Sequence, residues 1–371
     1  MKVGIPREVK DSEFRVALTP AGAHELVRLG HDVLVEREAG VGSSIPDSEY
    51  VDAGARILPD ADAVWGEAEL VCKVKEPVAQ EYHRMRSDQV LFTYLHLAAS
   101  VECTKAIVES GITAIAYETV QLADGSLPLL APMSEVAGRM APQVGAHHLQ
   151  RERGGRGVLM GGVSGVYAAK VVVLGAGVSG MNAAAIALGM QAEVLLLDKN
   201  IDKLRQADRI YQGHLQTVAS NAYEVERACL DADLVIGAVL VPGAKAPTLV
   251  SDDLVARMKP GAVLVDIAVD QGGCFESTRP TTHSDPTFTV HDAVFYCVAN
   301  MPGAVPHTST HALTNVTLPY AERIAESGWQ RAVTADAALA AGVNVVAGEV
   351  VCAPVAAAHG LPSRDLSDLL D

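Results

Sequence analysis

Residues 170–180 read KVVVLGAGVSG: an apolar run, then three glycines spaced G-x-G-x-x-G, with the small-residue segment MNAAAIALG following. A buried parallel strand, a tight turn and a closely packed helix are what this order of residues demands. Gly175 permits the turn, Gly177 lets a pyrophosphate approach the backbone, and Gly180 lets strand and helix touch. The spacing alone is weak, because glycines also serve ordinary turns. The strand before it and the helix after it carry the reading. The helix amino terminus then offers free N–H groups and a favourable dipole to phosphate oxygens.

Asp198 gives a second test. It closes the apolar run AEVLLLD eighteen residues after Gly180, where a carboxylate accepts hydrogen bonds from both ribose hydroxyls. A negative charge there repels a 2′-phosphate, so NAD is expected rather than NADP. Lys199, next in the chain, works against that preference.

The same alternation of apolar runs and helix-length segments runs through most of the chain. KVVVL, AEVLLLD, LQTVAS, ADLVIGAV, AVLVDIAVD and AVFYCVAN predict the six strands of a doubly wound sheet. Upstream, KVGIP, HDVLVE, ELVCKVK, QVLFTYLH and TAIAYE predict a second, mainly parallel sheet without a glycine fingerprint. Thr19-Pro20 opens a helix, and SEVAGRMAPQVGAHHLQRE reads as a long connecting helix that Pro142 can kink. RGGRGVLMGGVSGV after it is either a turn-rich connection near a cleft or a solvated loop. Beyond Pro306 the pattern becomes helical and too short for a domain of its own. The expected fold is therefore α/β, two Rossmann-like domains with mainly parallel sheets. The first comprises 1–130 plus 308–371, the second 131–307 and the dinucleotide fingerprint.

Composition agrees and excludes. With 371 residues two domains are the natural division, and 49% hydrophobic against 4% aromatic residues suits aliphatic parallel strands. A formal net charge of −16 argues against nucleic acid or an anionic membrane as partner. Six scattered cysteines with no C-x-x-C pair read as reduced thiols, and MKVGIPREVK lacks the apolar stretch of a signal peptide, so a cytoplasmic location is expected.

Polar residues at the ends of the apolar runs are the candidates for chemistry. Lys75 follows ELVCKV, His96 closes QVLFTYLH, and Arg15 lies in DSEFRVALTP. An arginine fork and a lysine point charge suit a carboxylate clamp, although most such cations are solvated surface groups. A histidine at a strand end is either structural or catalytic. Asp270, ahead of Gln271-Gly272-Gly273, faces a nicotinamide ring or serves as a turn residue. His147-His148 and His307/His311 lack neighbouring carboxylates or thiols, so no metal is expected.

Taken in order, GIPRE, EFRVALTP, VKEP, LHLA, AYETV, PLLAPMSEVAGR, GGRGVLMGGV, VLGAGVSG, VLVPGAKAP, MKPGAVLVDIAVDQGGCFE, YCVANMPGAVP and TNVTLPY resemble the alanine dehydrogenase family, from residue 1 to about 330. Transhydrogenase soluble subunits and lysine-ketoglutarate reductases share parts of the pattern. The blocks around Lys75 and His96, with DQGG after Asp270, look most like alanine dehydrogenase. The resemblance implies that Arg15 and Lys75 hold the substrate carboxylate and that His96 and Asp270 are the acid–base residues. It places cofactor contacts on Ser134, Gly177, Val178, Asp198, Lys203, Ser220, Val239, Leu240, Ile267, Arg279, Val298, Asn300 and Met301, beside Gly175 and Gly180 of the fingerprint. It further implies NAD as cofactor and L-alanine, pyruvate and ammonium as substrates; reductive amination of glyoxylate is a further expectation, because glyoxylate lacks only a methyl group. A homohexamer with its site in the cleft between domains is also implied. Ser164 departs from the family's proline in GGVPGV, and nothing is carried over beyond about residue 325. Two other readings stand beside it. A transhydrogenase subunit would need no amino-acid clamp. A nucleotide-binding protein without catalysis would be expected to have lost Lys75, His96 or Asp270.

Overall fold

The computed structural model describes residues 1–239 and 246–370. The chain divides into two compact units, Met1–Met133 with Val305–Asp371, and Ser134–Ala304.

The first unit begins with six strands: β1 (Lys2–Ile5), β2 (Asp32–Glu36), β3 (Arg56–Leu58), β4 (Leu70–Cys72), β5 (Val90–Thr93) and β6 (Thr113–Ala116). The second contributes β7 (Lys170–Leu174), β8 (Glu193–Asp198), β9 (Gln216–Ala219), β10 (Leu234–Gly237), β11 (Val263–Asp266), β12 (Thr287–Val290) and β13 (Ala293–Tyr296). The chain then returns to the first sheet as β14 (Val343–Val346) and β15 (Glu349–Val350).

In the first unit the order is β15-β14-β6-β5-β4-β1-β2-β3, parallel except for β14 and β15. Every residue of β4, β5 and β6 is buried, as expected of strands covered on both faces. The helix Pro20–Arg28 starts where Thr19 accepts the Gly22 N–H, and Pro20 occupies a first-turn position whose N–H has no helical partner to lose. Four strands have no clear signal in the sequence: β3, β12, β14 and β15. Each holds four residues or fewer, and none lies inside a run of buried parallel strands.

The second sheet runs β12-β13-β11-β10-β7-β8-β9, with only β12 antiparallel. β7 and β10 are neighbours although β8 and β9 lie between them in the chain. This reversal of strand order opens a crevice at the carboxyl ends of β7 and β10, the usual ligand position in such sheets. The first sheet repeats the arrangement at β1 and β4. The connecting helix runs Ala131–His148, three residues earlier than the sequence suggests, because Pro132 is tolerated in a first turn.

Candidate active site

In the first unit the polar candidates lie just beyond the carboxyl ends of β1, β4 and β5. Arg15, which composition alone would assign to the surface, is only 2% exposed. Its Nε and one terminal nitrogen bond the two oxygens of Glu13 at 2.6 and 2.5 Å, and the other nitrogen lies 3.0 Å from the Met133 sulfur. Burial pulls the guanidinium pKa down, but the Glu13 hydrogen bond and charge outweigh it and leave it raised. Arg15 is thus a fixed cation.

The Lys75 backbone is held by a carboxylate. Glu8, in the loop after β1, accepts the Val74 N–H at 2.6 Å and the Lys75 N–H at 3.4 Å. Glu8 in turn pairs at 3.1 Å with Lys73, a fully buried ammonium that also lies 2.9 Å from Glu81. Glu76 follows Lys75, bonds Lys10, and keeps its second oxygen buried without a hydrogen-bond partner. Burial raises the Glu76 pKa, yet the charges of Lys75, Lys10 and His96 bring it below its ordinary value.

His96 carries a positive φ of 47°, uncommon for a non-glycine residue. The conformation is held by Glu118, which accepts the His96 N–H at 2.6 Å and the Leu95 N–H at 3.2 Å. Strain retained at a polar strand end is characteristic of functional positions. The ring stacks on Tyr94 at 5.8 Å, and Tyr94 anchors its own hydroxyl on the Leu129 carbonyl at 2.6 Å.

In the second unit the fingerprint forms the turn between β7 and the helix Val178–Gly189. Gly175 has φ +106°, and a Cβ there would lie 2.7 Å from the Ala238 carbonyl oxygen. At Gly180 a Cβ would sit 1.7 Å from the Gly175 carbonyl oxygen. Gly177 differs: its Cβ would meet nothing within 4 Å, so this glycine leaves open space at the helix amino terminus. The structure therefore provides the cradle that a pyrophosphate needs. Asp198 ends β8, its carboxylate accepting the Ala176 N–H at 2.7 Å and the Asn200 N–H at 2.7 Å. The carboxylate is thus fixed beside the glycine turn.

Other candidates follow the strands in the same way. Ser220 succeeds β9 and donates its N–H to the Asp198 carbonyl at 2.9 Å. Val239 comes after β10, and Ile267 after β11, its N–H on the Gly237 carbonyl at 2.9 Å. Val298 and Met301 are buried beyond β13, with Asn300 between them at φ +72°, its carbonyl 3.0 Å from His283. Val178 is 45% exposed at the head of its helix, and Lys203 is exposed in the first turn of Ile201–Tyr211. Arg279 is exposed with its guanidinium 4.3 Å over the Phe288 ring, Ser134 lies on the connecting helix, and Asp270 is exposed on the short turn Val269–Gln271. Leu240 lies outside the described residues. Arg15, Lys75 and His96 belong to the first unit and the remaining candidates to the second.

The His307 and His311 rings are 4.8 Å apart, and His307 bonds the Ser43 carbonyl. Among the described residues no group of three or more His, Cys, Asp and Glu is placed to hold a metal. The six cysteines are free, and burial pushes the Cys72 thiol up to about 12.

Glu8, Glu13 and Glu118, with Lys73 paired to Glu8, contact these candidates and are groups that sequence reasoning passes over.

Fold and site together define a two-unit α/β protein with a dinucleotide cradle in one unit and, in the other, a buried arginine held by a carboxylate and a histidine in the left-handed conformation. Residues 4–137 match the N-terminal domain, and residues 141–353 the C-terminal domain, of the family described as alanine dehydrogenase/PNT. The chain belongs to that family. It is 61% identical over 370 residues to an alanine dehydrogenase of Mycobacterium tuberculosis, and 54% identical over 374 residues to one of Geobacillus stearothermophilus, each match covering 100% of both chains. A solved L-alanine dehydrogenase superposes with a TM-score of 0.94 at 50% identity, covering 97% of this chain and 99% of that one. A transhydrogenase from Sinorhizobium meliloti superposes at 0.80 with 29% identity, covering 95% and 99%.

Proposed function

We propose that this chain is an NAD-dependent L-alanine dehydrogenase, converting L-alanine, NAD⁺ and water into pyruvate, ammonium, NADH and a proton. Full-length identity of 61% to an alanine dehydrogenase is the observation that carries the reading. The cofactor assignment is supported by the open space at Gly177 and by the Asp198 carboxylate held beside the turn, which disfavours a 2′-phosphate.

NAD, when bound, supplies the hydride acceptor. Arg15 and Lys75 hold the substrate carboxylate and thereby orient the α-carbon. Glu13 fixes the first, and the Glu8 contact to the backbone fixes the second. His96 polarises the oxygen that develops as water adds to the iminium carbon. Asp270 moves the protons of water addition and ammonia loss.

The resemblance to the family further supports a homohexamer, and reductive amination of glyoxylate is proposed beside the main reaction, since glyoxylate lacks only a methyl group and one methyl discriminates modestly. Free cysteines suit a reducing, cytoplasmic setting. Among the described residues no helix is long and apolar enough to cross a membrane. Feeding L-alanine and NAD⁺ to the purified protein and assaying pyruvate and ammonium tests the reaction. Equal amounts of the two with NADH are expected, and NAD⁺ left unreduced would overturn the reading.

A further inference from the structure

Asp266 closes β11 with 0% of its surface exposed, and no step above uses it. One oxygen accepts the Ala268 N–H at 3.0 Å. The other accepts the Cys274 N–H at 2.9 Å and the Thr278 hydroxyl at 2.5 Å. The three donors come from both ends of segment 267–278, so one side chain ties that loop shut at its base. Between the tied ends stands Asp270, on a three-residue turn that no side chain caps. Such short turns have poor hydrogen-bond geometry and take their shape from surrounding supports. Gly272 and Gly273 follow at φ +93° and +74°. A Cβ on Gly273 would lie 2.6 Å from the Asp266 carboxylate and 2.4 Å from the Thr278 methyl carbon, so the clamp is packed to contact. A buried carboxylate is costly unless its oxygens are satisfied. Burial raises the Asp266 pKa, while Thr278 and the backbone donors of Cys274, Ala268 and Phe275 pull it back.

We propose that Asp266 is a positioning residue for Asp270, clamping the loop so that the Asp270 carboxylate is presented in one place to the reacting substrate. The proposal rests on the reading that Asp270 moves protons in alanine deamination. It assigns Asp266 no contact with substrate. Its effect is on geometry, where displacements of about 1 Å cost up to about a hundredfold in rate.

A double-mutant cycle in the full-length protein tests it, with Asp266→Asn, Asp270→Asn and the pair. Measured for each are kcat, the KM for pyruvate, the NADH dissociation constant by fluorescence and the melting temperature. Asp266→Asn is expected to lower kcat about tenfold or more while NADH affinity stays within about threefold. The double variant is expected to be no slower than Asp270→Asn alone, because a residue acting through Asp270 has nothing left to position. Thr278→Ser, which keeps the hydroxyl, should retain kcat, and Thr278→Val should lose several-fold. Multiplied losses in the double variant, or wild-type kcat in Asp266→Asn, would overturn the proposal. Should Asp266→Asn fail to fold, the Thr278 pair decides, and equal kcat for serine and valine overturns it. The underlying reading fails differently: no ammonium-dependent turnover by the parent protein, or full turnover by Asp270→Asn, removes that reading and this proposal with it.

Discussion

Replacing Lys73 with methionine leaves two carboxylates facing each other across a space filled by an apolar chain. In the parent protein the Lys73 ammonium is fully buried, 3.1 Å from Glu8 and 2.9 Å from Glu81, whose side chains are each 2% exposed. Breaking a buried pair by removing one partner costs about 3–5 kcal/mol, most of it from the charge left behind. In a unit of about 200 residues each kcal/mol moves the melting point by roughly 2–4 °C, so a drop on the order of 10 °C is expected at pH 8. Burial already raises the Glu8 pKa despite Lys73 lowering it, and loss of the ammonium raises it further. A carboxyl whose folded pKa lies above its unfolded value binds the proton more tightly when folded. The deficit is therefore full above the folded pKa and shrinks as pH falls toward the ordinary carboxyl range. Scanning calorimetry at pH 8 and pH 5 reads both effects. A deficit under about 1 kcal/mol, or one that does not change with pH, would refute the reasoning. Adding Glu81→Gln to Lys73→Met should recover part of the loss, because it removes one uncompensated charge.

His96→Ala should cut turnover by about a hundredfold or more with NADH affinity intact, and retained turnover would remove His96 from the mechanism. Gly177→Ala should leave the melting point nearly unchanged, since its Cβ enters open space, yet weaken NADH in a fluorescence titration. Gly180→Ala, with a Cβ 1.7 Å from the Gly175 oxygen, should damage both. His148 is only 7% exposed, has an Nδ1 without a hydrogen-bond partner, and is held near pKa 4 by burial. Its unfolded form takes up a proton first as pH falls from about 6.5, so stability present above that value is lost on the way to 4. His148→Phe, keeping a ring against Tyr296, should lose about 2–3 kcal/mol less over that range in urea unfolding. Equal losses would show that His148 is not buried as a neutral ring.

Long buried strands are legible in the sequence because parallel sheets covered on both faces need unbroken aliphatic runs, and β7, β8, β10 and β11 have them. Edge strands need only a few half-buried residues, so β12 with its partly exposed TFTV leaves no such trace. The dinucleotide cradle is legible for a different reason: its glycines, strand and acid are local in sequence. Arg15 is not. Its burial depends on Glu13 folding back onto it and on Met133, far along the chain. Glu118 holding the left-handed His96, and Glu8 reaching the Lys75 backbone, are likewise pairings made only by the sheet. The roles given to Arg15, Lys75, His96 and Asp270 therefore came from family resemblance, while the structure supplies the groups that position the first three.

Alanine dehydrogenase activity is read by following NADH absorbance with the purified full-length protein, pyruvate and ammonium, then omitting ammonium, then substituting NADPH. NADH oxidation is expected to require ammonium and to be weak with NADPH, because the Asp198 carboxylate beside the glycine turn disfavours a 2′-phosphate. No oxidation of NADH, with its binding still visible by fluorescence, would rule out alanine dehydrogenase activity and favour hydride exchange between nucleotides instead.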